Sequence, residues 1–265
     1  MPGWNYHPAQ MQATARDNKF SELLAHEVSI ESDATKLFVK AARWGRLEMC
    51  HWLHAVRTPD ARAWDNKALR YAAKYGHLDV CQWLHATFAL TAEDARACHN
   101  YALRYAATNG YLDVCQWLHT TYGLTADDAR ARNNWALHWA AANDHLAVCE
   151  WLHATYGLTP EDARADHNFA LRWGAENGRL AVCQWLHTTY GLTADDARAC
   201  NNWALRWAAY NGHLAVCQWF YAVGIRDWEP YVTRATPAVA AWIRSMATKA
   251  RLRALAAELL AIADA

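Results

Sequence analysis

The sequence predicts an all-α helical solenoid, a stack of short helix pairs joined by capped helical turns. Three observations carry that expectation. A frame Asn-x-Ala-Leu-Arg-x-Ala-Ala-x-x-Gly-x-Leu-x-Val-Cys-x-Trp-Leu-His starts at Asn66, Asn100, Asn134, Asn168 and Asn202, each start 34 residues after the last, with small departures in each copy. No segment alternates apolar and polar residues with period two, so no strand is expected. The frame is also punctuated as helices are: Gly or Asp follows the first apolar stretch, and after the second comes Thr with an acidic residue three places on. Units of this size bury no core alone and are stable only when stacked, and the stack presents a long surface.

The repetition has a second level. Cys115 to Ala131 returns letter for letter as Cys183 to Ala199, 68 residues later, and Ala86 to Asn100 returns nearly unchanged as Ala154 to Asn168. Duplication of a two-repeat unit accounts for both.

In chain order, residues 1–32 read as an N-terminal segment with a capping helix at Lys19 to Val28 and Asn18 as its cap. Residues 33–226 hold six units. Asp33 to Leu53 fits the frame through Ala41, Ala42, Gly45, Leu47 and Trp52, with a linker three residues shorter. The unit Asn134 to His167 typifies the rest. Asn134 suits an N-cap, and Trp135 to Ala142 forms a short first helix. Asn143-Asp144 ends it, since Asp tolerates the left-handed conformation better than most residues. A second helix from about His145 to Tyr156 carries Leu146, Val148, Cys149, Trp151 and Leu152 on a broad apolar face, and Gly157 stops it. Thr159-Pro160-Glu161-Asp162 then combines a capping-box pattern with Pro at the first helical position, which predicts one helical turn. Residues 227–265 form a degenerate seventh unit, in which Thr236 to Ile243 aligns with His213 to Phe220, and a closing amphipathic helix from Lys249 to Ala265.

Apolar residues make up 54% of the 265-residue chain and Trp occurs 16 times, so there is ample material to bury. Lys plus Arg equals Asp plus Glu, 26 each, which gives no support to nucleic acid or an anionic membrane as partner. The first residues lack an apolar run of signal-peptide length, and no stretch approaches about 18 uninterrupted apolar residues. The expectation is an intracellular, cytoplasmic, monomeric protein with no nucleic-acid or membrane partner.

The pattern Ala-Leu-Arg-x-Ala-Ala-x-x-Gly-His-Leu-x-Val-Cys-x-Trp-Leu resembles the ankyrin repeat. The resemblance rests on Leu69, Ala72, Ala73, Gly76, His77 and Val80, and again on Leu205, Ala208, Ala209, Gly212, His213 and Val216; it covers about residues 33 to 221. It is closest to the divergent arrays of large DNA viruses and some protists, whose linkers are similar, and a viral source would place the protein in the host cytoplasm. Two departures stand out. Ala replaces the helix-starting Pro at positions 68, 102, 136, 170 and 204, and the segment that forms a β-hairpin finger in ordinary ankyrin repeats reads as helical. The resemblance implies an ankyrin-like solenoid with short helical turns in place of β-hairpin fingers. It also implies a non-enzymatic scaffold that binds an unidentified protein partner along its concave face. An adaptor linking a target to another complex, such as a ubiquitin ligase, and a structural or assembly component are the alternatives.

Each chemical motif has a structural reading beside the functional one. The pairs Cys50/His54, Cys81/His85, Cys115/His119, Cys149/His153 and Cys183/His187 share a helix face, but one pair per unit does not assemble the four ligands of a closed metal site. Their cysteines, with Cys217, read as buried hydrophobes, while Cys98 and Cys200 fall in inter-repeat turns. Asp127/Asp128, Glu161/Asp162 and Asp195/Asp196 open helical turns and precede an Arg able to pair with them; near-identical copies argue for structure over catalysis. Arg62, Arg96, Arg130, Arg164 and Arg198 read as an ion-pair ladder in preference to a phosphate track. The first-helix aromatics Tyr101/Tyr105, Trp135/Trp139, Phe169/Trp173 and Trp203/Trp207 read as core filling the gap of the missing hairpin. No cofactor and no metal is expected.

The positions before the central Gly differ between copies: Arg43/Trp44, Lys74/Tyr75, Thr108/Asn109, Ala142/Asn143, Glu176/Asn177 and Tyr210/Asn211. The ankyrin resemblance puts them at the inner-helix ends, near the recognition surface. The candidate partner-binding residues are therefore Arg43, Trp44, Lys74, Tyr75, Thr108, Asn109, Asn143, Glu176, Asn177, Tyr210 and Asn211.

Overall fold

The structure, a computed structural model, describes residues 33–225, 228–231 and 233–263. The expected capping helix Lys19 to Val28 and its Asn18 cap lie outside the described residues. Among the described residues there are fifteen α-helices, a short 3-10 turn at Glu229–Tyr231 and no strand, as an all-α solenoid requires. They form two compact units, one ending at Asp94 and one beginning at Ala95.

The first unit holds α1 (Ala34–Arg43), α2 (Leu47–Arg57), α3 (Ala63–Lys74) and α4 (Leu78–Phe88). The Asp33 carboxylate caps α1 by accepting from the amides of Thr35 and Lys36 at 3.0 and 3.2 Å. The first helices of neighbouring repeats, α1 and α3, pack on each other, as do the second helices, α2 and α4. Fully buried alanines Ala41, Ala42, Ala72 and Ala73 let the first helices approach closely, and Cys50, Leu53, Val80, Cys81 and Leu84 fill the space beside them.

Helix α5 (Ala92–Thr108) carries the boundary between the units. The second unit continues through α6 (Leu112–Tyr122), α7 (Ala126–Ala129), α8 (Ala131–Ala142), α9 (Leu146–Tyr156) and α10 (Pro160–Glu176). It ends with α11 (Leu180–Tyr190), α12 (Ala194–Ala197), α13 (Ala199–Tyr210), α14 (Leu214–Ala222) and α15 (Pro237–Ala263). The packing rule is the same: α10 lies between α8 and α13, α9 packs on α6, and α14 on α11. One helix, α15, runs from Pro237 to Ala263 and so joins the segment that follows Thr236 to the closing helix expected from Lys249, because no breaker stands between them.

The linkers are the helical turns the sequence predicts. Thr125, Thr159 and Thr193 each form a capping box with Asp128, Asp162 and Asp196. Leu124, Leu158 and Leu192 are buried beneath these turns, so a leucine and a capped turn fill the place of the β-hairpin finger. The second acid of each pair is bound by an arginine of the preceding repeat. Arg96 Nε lies 2.9 Å from Asp128 Oδ1, Arg130 Nε 2.9 Å from Asp162 Oδ1 and Arg164 Nε 2.9 Å from Asp196 Oδ1, with Arg62 and Asp94 at 3.2 Å. This is the expected ladder with its pairing corrected. The partner is 32 residues upstream because the cap turns its carboxylate toward the previous repeat, and the following Arg reaches the exposed first acid (Arg198 to Asp195, 3.1 Å).

The largest departure from the expected fold lies at the start of each first helix. Asn134 is not an N-cap. Arg132, Asn133 and Asn134 all lie in the left-handed region, at φ 57°, 55° and 59°, and the same three-residue run recurs at Trp64–Asn66, Cys98–Asn100, Asp166–Asn168 and Cys200–Asn202. Such a run costs about 1–2 kcal/mol per residue in most contexts. An arginine in the first helix folds back to hold it. Arg104 donates through Nε to His99 O at 2.7 Å and through Nη2 to Cys98 O at 3.0 Å. Arg70 clamps Asp65 and Trp64 in the same way, and Arg172 clamps His167 and Asp166. His138 takes this place in the Asn134 unit; it is buried, stacks on Phe169 at 5.1 Å, and its Nε2 has no hydrogen-bond partner among the described residues.

A second contact joins the repeats. The backbone of Gly178, at φ +74°, lies so close to the next repeat that an added Cβ would stand 2.5 Å from His213 Nδ1; Gly110 faces His145 and Gly45 faces His77 in the same way. Where Asp144 replaces the glycine, at φ 72°, the next repeat has Arg179 instead of histidine, 3.8 Å from the Asp144 carboxylate.

Candidate functional site

The ends of the first helices are where the sequence places a partner, and the structure divides them. In the second unit several of these residues hold one repeat to the next. The side-chain amides of Asn143, Asn177 and Asn211 donate to the carbonyls of Thr108, Ala142 and Glu176 at 2.9, 3.1 and 2.9 Å. Thr108 Oγ1 accepts from the Trp135 indole at 3.2 Å, and the Glu176 carboxylate accepts from that of Trp203 at 2.6 Å. Asn109 is exposed, and Tyr210 is 56% exposed with its ring 5.2 Å from that of Trp207.

In the first unit the candidates come together on α1 and α3. The Arg43 guanidinium stands 5.2 Å over the Tyr75 ring and 5.9 Å over Tyr71, and Lys74 Nζ stands 5.5 Å over Tyr75. Trp44 is 53% exposed at the end of α1. This end is anchored, since His77 Nε2 must donate to Arg43 O, a carbonyl, at 3.0 Å. The variable pair before the central Gly is therefore mostly structural in the second unit, while in the first it is exposed at Arg43 and Trp44 and half-buried at Lys74 and Tyr75.

The first-helix aromatics are half-buried, not core. They form a continuous row in the second unit: Tyr101 on Tyr105 at 4.1 Å, Trp135 on Trp139 at 5.6 Å, Trp139 on Phe169 at 5.3 Å, Phe169 on Trp173 at 5.5 Å and Trp203 on Trp207 at 5.7 Å. Arg104 lies 5.2 Å over Trp135 and Arg172 5.5 Å over Trp203, so the arginines that clamp the left-handed turns also tie the row together. The core reading fails because the hairpin gap is already filled by Leu124, Leu158 and Leu192.

The family-model comparisons bear on this arrangement. The family described as Ankyrin repeats (3 copies) matches residues 69–160 and 137–230, and that described as Ankyrin repeats (many copies) matches residues 38–85. The chain belongs to the ankyrin repeat family. Ankyrin repeats are generally protein–protein interaction modules, and ankyrin repeat proteins are typically non-enzymatic scaffolds. A search of curated proteins found no match.

The remaining motifs of the ankyrin array serve its packing. His85, His119 and His153 each use Nδ1 to donate to a linker carbonyl five residues on, Leu90, Leu124 and Leu158, at 3.0 Å, and His187 does so to Leu192. Cys50, Cys81, Cys115, Cys149, Cys183 and Cys217 are buried, Cys98 is half-buried and Cys200 exposed. Burial, helped by the Asp79 charge, pushes the Cys50 thiol up to about 12, and burial alone raises Cys217 to about 12. Among the described residues no three His, Cys, Asp or Glu side chains converge as metal ligands, and no helix is long and apolar enough to cross a membrane.

Sequence reasoning missed the residues that line α1 and α3 below their ends: Lys36, Lys40, Trp64, Lys67 and Tyr71. The signal was present, since Lys36, Lys40 and Arg43 recur at helical spacing in a helix with no acidic residue. The repeat frame drew attention to residues common to most copies, whereas Lys36 and Lys67 share one frame position that is basic only in the first two copies, and Lys40 stands where Tyr71 and the later copies have an aromatic ring.

Proposed function

We propose that this ankyrin array is a protein-binding scaffold that holds one partner on the concave, first-helix face, chiefly through Arg43, Trp44, Lys74 and Tyr75. The observation that carries it is the exposed Trp44 beside the Arg43–Tyr75–Lys74 stack. Among the described residues no inter-repeat hydrogen bond engages the Trp44 ring, whereas Asn143, Asn177 and Asn211 of the second unit serve the stack itself. Aromatic and arginine side chains dominate interface energetics out of proportion to their number. In this reading the protein acts as a cytoplasmic monomer without a cofactor; an adaptor to a second machine and an assembly component are the alternative readings.

The test is to identify the partner by proximity labelling and then measure its affinity for the Trp44→Ala, Tyr75→Ala double variant. A true anchor costs at least about 2 kcal/mol, roughly a thirtyfold loss. Unchanged affinity with the helical signal intact would move the site elsewhere, first to the capped Leu-Thr turns.

A further inference from the structure

At one place of the repeat frame, each side chain of the second unit is covered by the first aromatic ring of the next repeat. Arg104 lies 5.2 Å over Trp135, His138 stacks on Phe169 at 5.1 Å, and Arg172 lies 5.5 Å over Trp203. All three are buried. Arg206 holds the same place in α13, and there the series stops. Among the described residues no further first helix follows. The 3-10 turn Glu229–Tyr231 packs on α13 instead, and Tyr231 Oη accepts from Asn202 Nδ2 at 2.6 Å. Among the described residues Arg206 has no covering ring and no hydrogen-bonded or ionic partner, and it is exposed. It opens onto a cleft of about 540 Å3, which Trp207 and Tyr210 of α13 line together with Tyr231 and Arg234. Arg234 is exposed too, and its guanidinium has no partner among the described residues.

We infer that this cleft takes a protein segment in which an aromatic residue is followed by an acidic one. The site belongs to the second unit and has no part in the Trp44–Tyr75 face, so it goes beyond the protein-binding reading above. The incoming ring covers Arg206 as Trp203 covers Arg172, and it extends the row that ends at Trp207 and Tyr210. A ring over a guanidinium is favourable even where water reaches the pair. The acid meets Arg234, whose planar fork binds a carboxylate in two-point contact. The volume falls in the range of ordinary ligand clefts. A nucleotide shares the ring-plus-anion chemistry, but the surroundings favour a peptide. The aromatic row leads away from the cleft, with Trp203 on Trp207 at 5.7 Å and Trp173 on Trp203 at 6.3 Å, and gives an extended chain further surface. The Glu176 carboxylate, 2.6 Å from the Trp203 indole nitrogen, sets a negative charge beside that row and opposes a phosphate backbone, which needs cations along its track.

The experiment uses the full chain and short rhodamine-labelled peptides in fluorescence anisotropy. One peptide carries Trp-Glu among neutral polar residues, a second Trp-Gln and a third Ala-Glu, and adenosine monophosphate serves as competitor. The Trp-Glu peptide should bind about fivefold or more tightly than either of the others. Arg234→Gln should remove the preference for Glu over Gln and keep that for Trp over Ala. Arg206→Gln should erode the preference for Trp and keep that for Glu. Both side chains are exposed, so each variant should retain its helical spectrum. The Trp44→Ala, Tyr75→Ala variant should bind the peptides as the parent chain does. Equal binding of the three peptides, or binding of none, would overturn the inference and leave the first-unit face standing. Preferences unchanged in both arginine variants would overturn it by placing the peptide elsewhere. Displacement by adenosine monophosphate at lower concentration than by unlabelled peptide would assign the cleft to a nucleotide. Self-association in sedimentation that Arg206→Gln abolishes would assign it to a second copy instead.

Discussion

Replacing Arg104 by methionine should cost about 2–4 kcal/mol of folding stability. The side chain is buried and makes two charge-assisted bonds, 2.7 Å to His99 O and 3.0 Å to Cys98 O. Bonds of this kind contribute about 1.5–3 kcal/mol each, and the apolar contacts of methionine offset part of the loss. Both acceptors belong to a left-handed run, Cys98–Asn100, that is strained without its clamp. Lysine retains the charge above the Tyr105 and Trp135 rings but lacks the planar fork, so Arg104→Lys should recover less than half of the loss. Urea unfolding followed by helix dichroism and tryptophan fluorescence measures the change, and hydrogen exchange at Cys98 to Asn100 localises it. His138→Arg supplies the reverse experiment, because carbonyls of Arg132 and Asn133 stand where the clamp would reach. A loss below about 0.5 kcal/mol for Arg104→Met would refute the idea that the arginine holds the turn.

Gly178→Ala should destabilise by about 2 kcal/mol or more, through both the left-handed backbone and the approach to His213, whereas Gly157→Ala, where an added Cβ meets nothing within 4 Å, should cost about 1 kcal/mol; equal shifts in thermal midpoint would discount the inter-repeat contact. Burial tends to raise the Asp162 carboxyl but is outweighed by hydrogen bonds from Arg130, the Thr159 amide and Asn134, so its value is lowered; the stability it contributes is present above about pH 4 and lost as pH falls through the folded value, and Asp162→Asn should flatten that acid limb. Burial lowers His138 to about 4, so protonation favours the unfolded chain as pH falls from about 6.5 to 4; roughly 3 kcal/mol should disappear in that window and persist in His138→Leu, as pH-dependent urea midpoints would show. Tyr156→Phe should be neutral or slightly stabilising, because its buried hydroxyl has no hydrogen-bond partner among the described residues; a loss above about 1 kcal/mol in urea unfolding would show that the hydroxyl is bonded. Native labelling with a thiol reagent should modify Cys200 and Cys98 while the six repeat cysteines stay protected until unfolding; rapid labelling of Cys115, Cys149 or Cys183 would contradict their burial.

Helix pairs, the left-handed glycine stops and the Thr–Asp capping boxes were legible in the sequence because each depends on residues within a few positions of one another. The clamp on the left-handed turn was not. Asn134 has the chemistry of a cap, and only the tertiary position of Arg104 or Arg172 reveals that the preceding backbone turns the other way. The asparagine bonds between repeats were hidden for a related reason. Asn143 and Asn177 look free to drift when copies are compared column by column, yet each acts on a carbonyl one repeat back. Lys36, Lys40 and Lys67 were overlooked because a repeat comparison favours what recurs in every copy.

The pairing of Gly110 with His145, Asp144 with Arg179 and Gly178 with His213 makes the modules grammatical: which may follow which depends on one junction residue. Excising residues 145–178 would bring His213 against Asp144, whose Cβ occupies the space the imidazole ring needs. Excising residues 111–178, a 68-residue pair of modules, leaves Gly110 facing a histidine as before. An array with this syntax shortens or grows most readily two modules at a time, the step recorded in the verbatim return of Cys115 to Ala131.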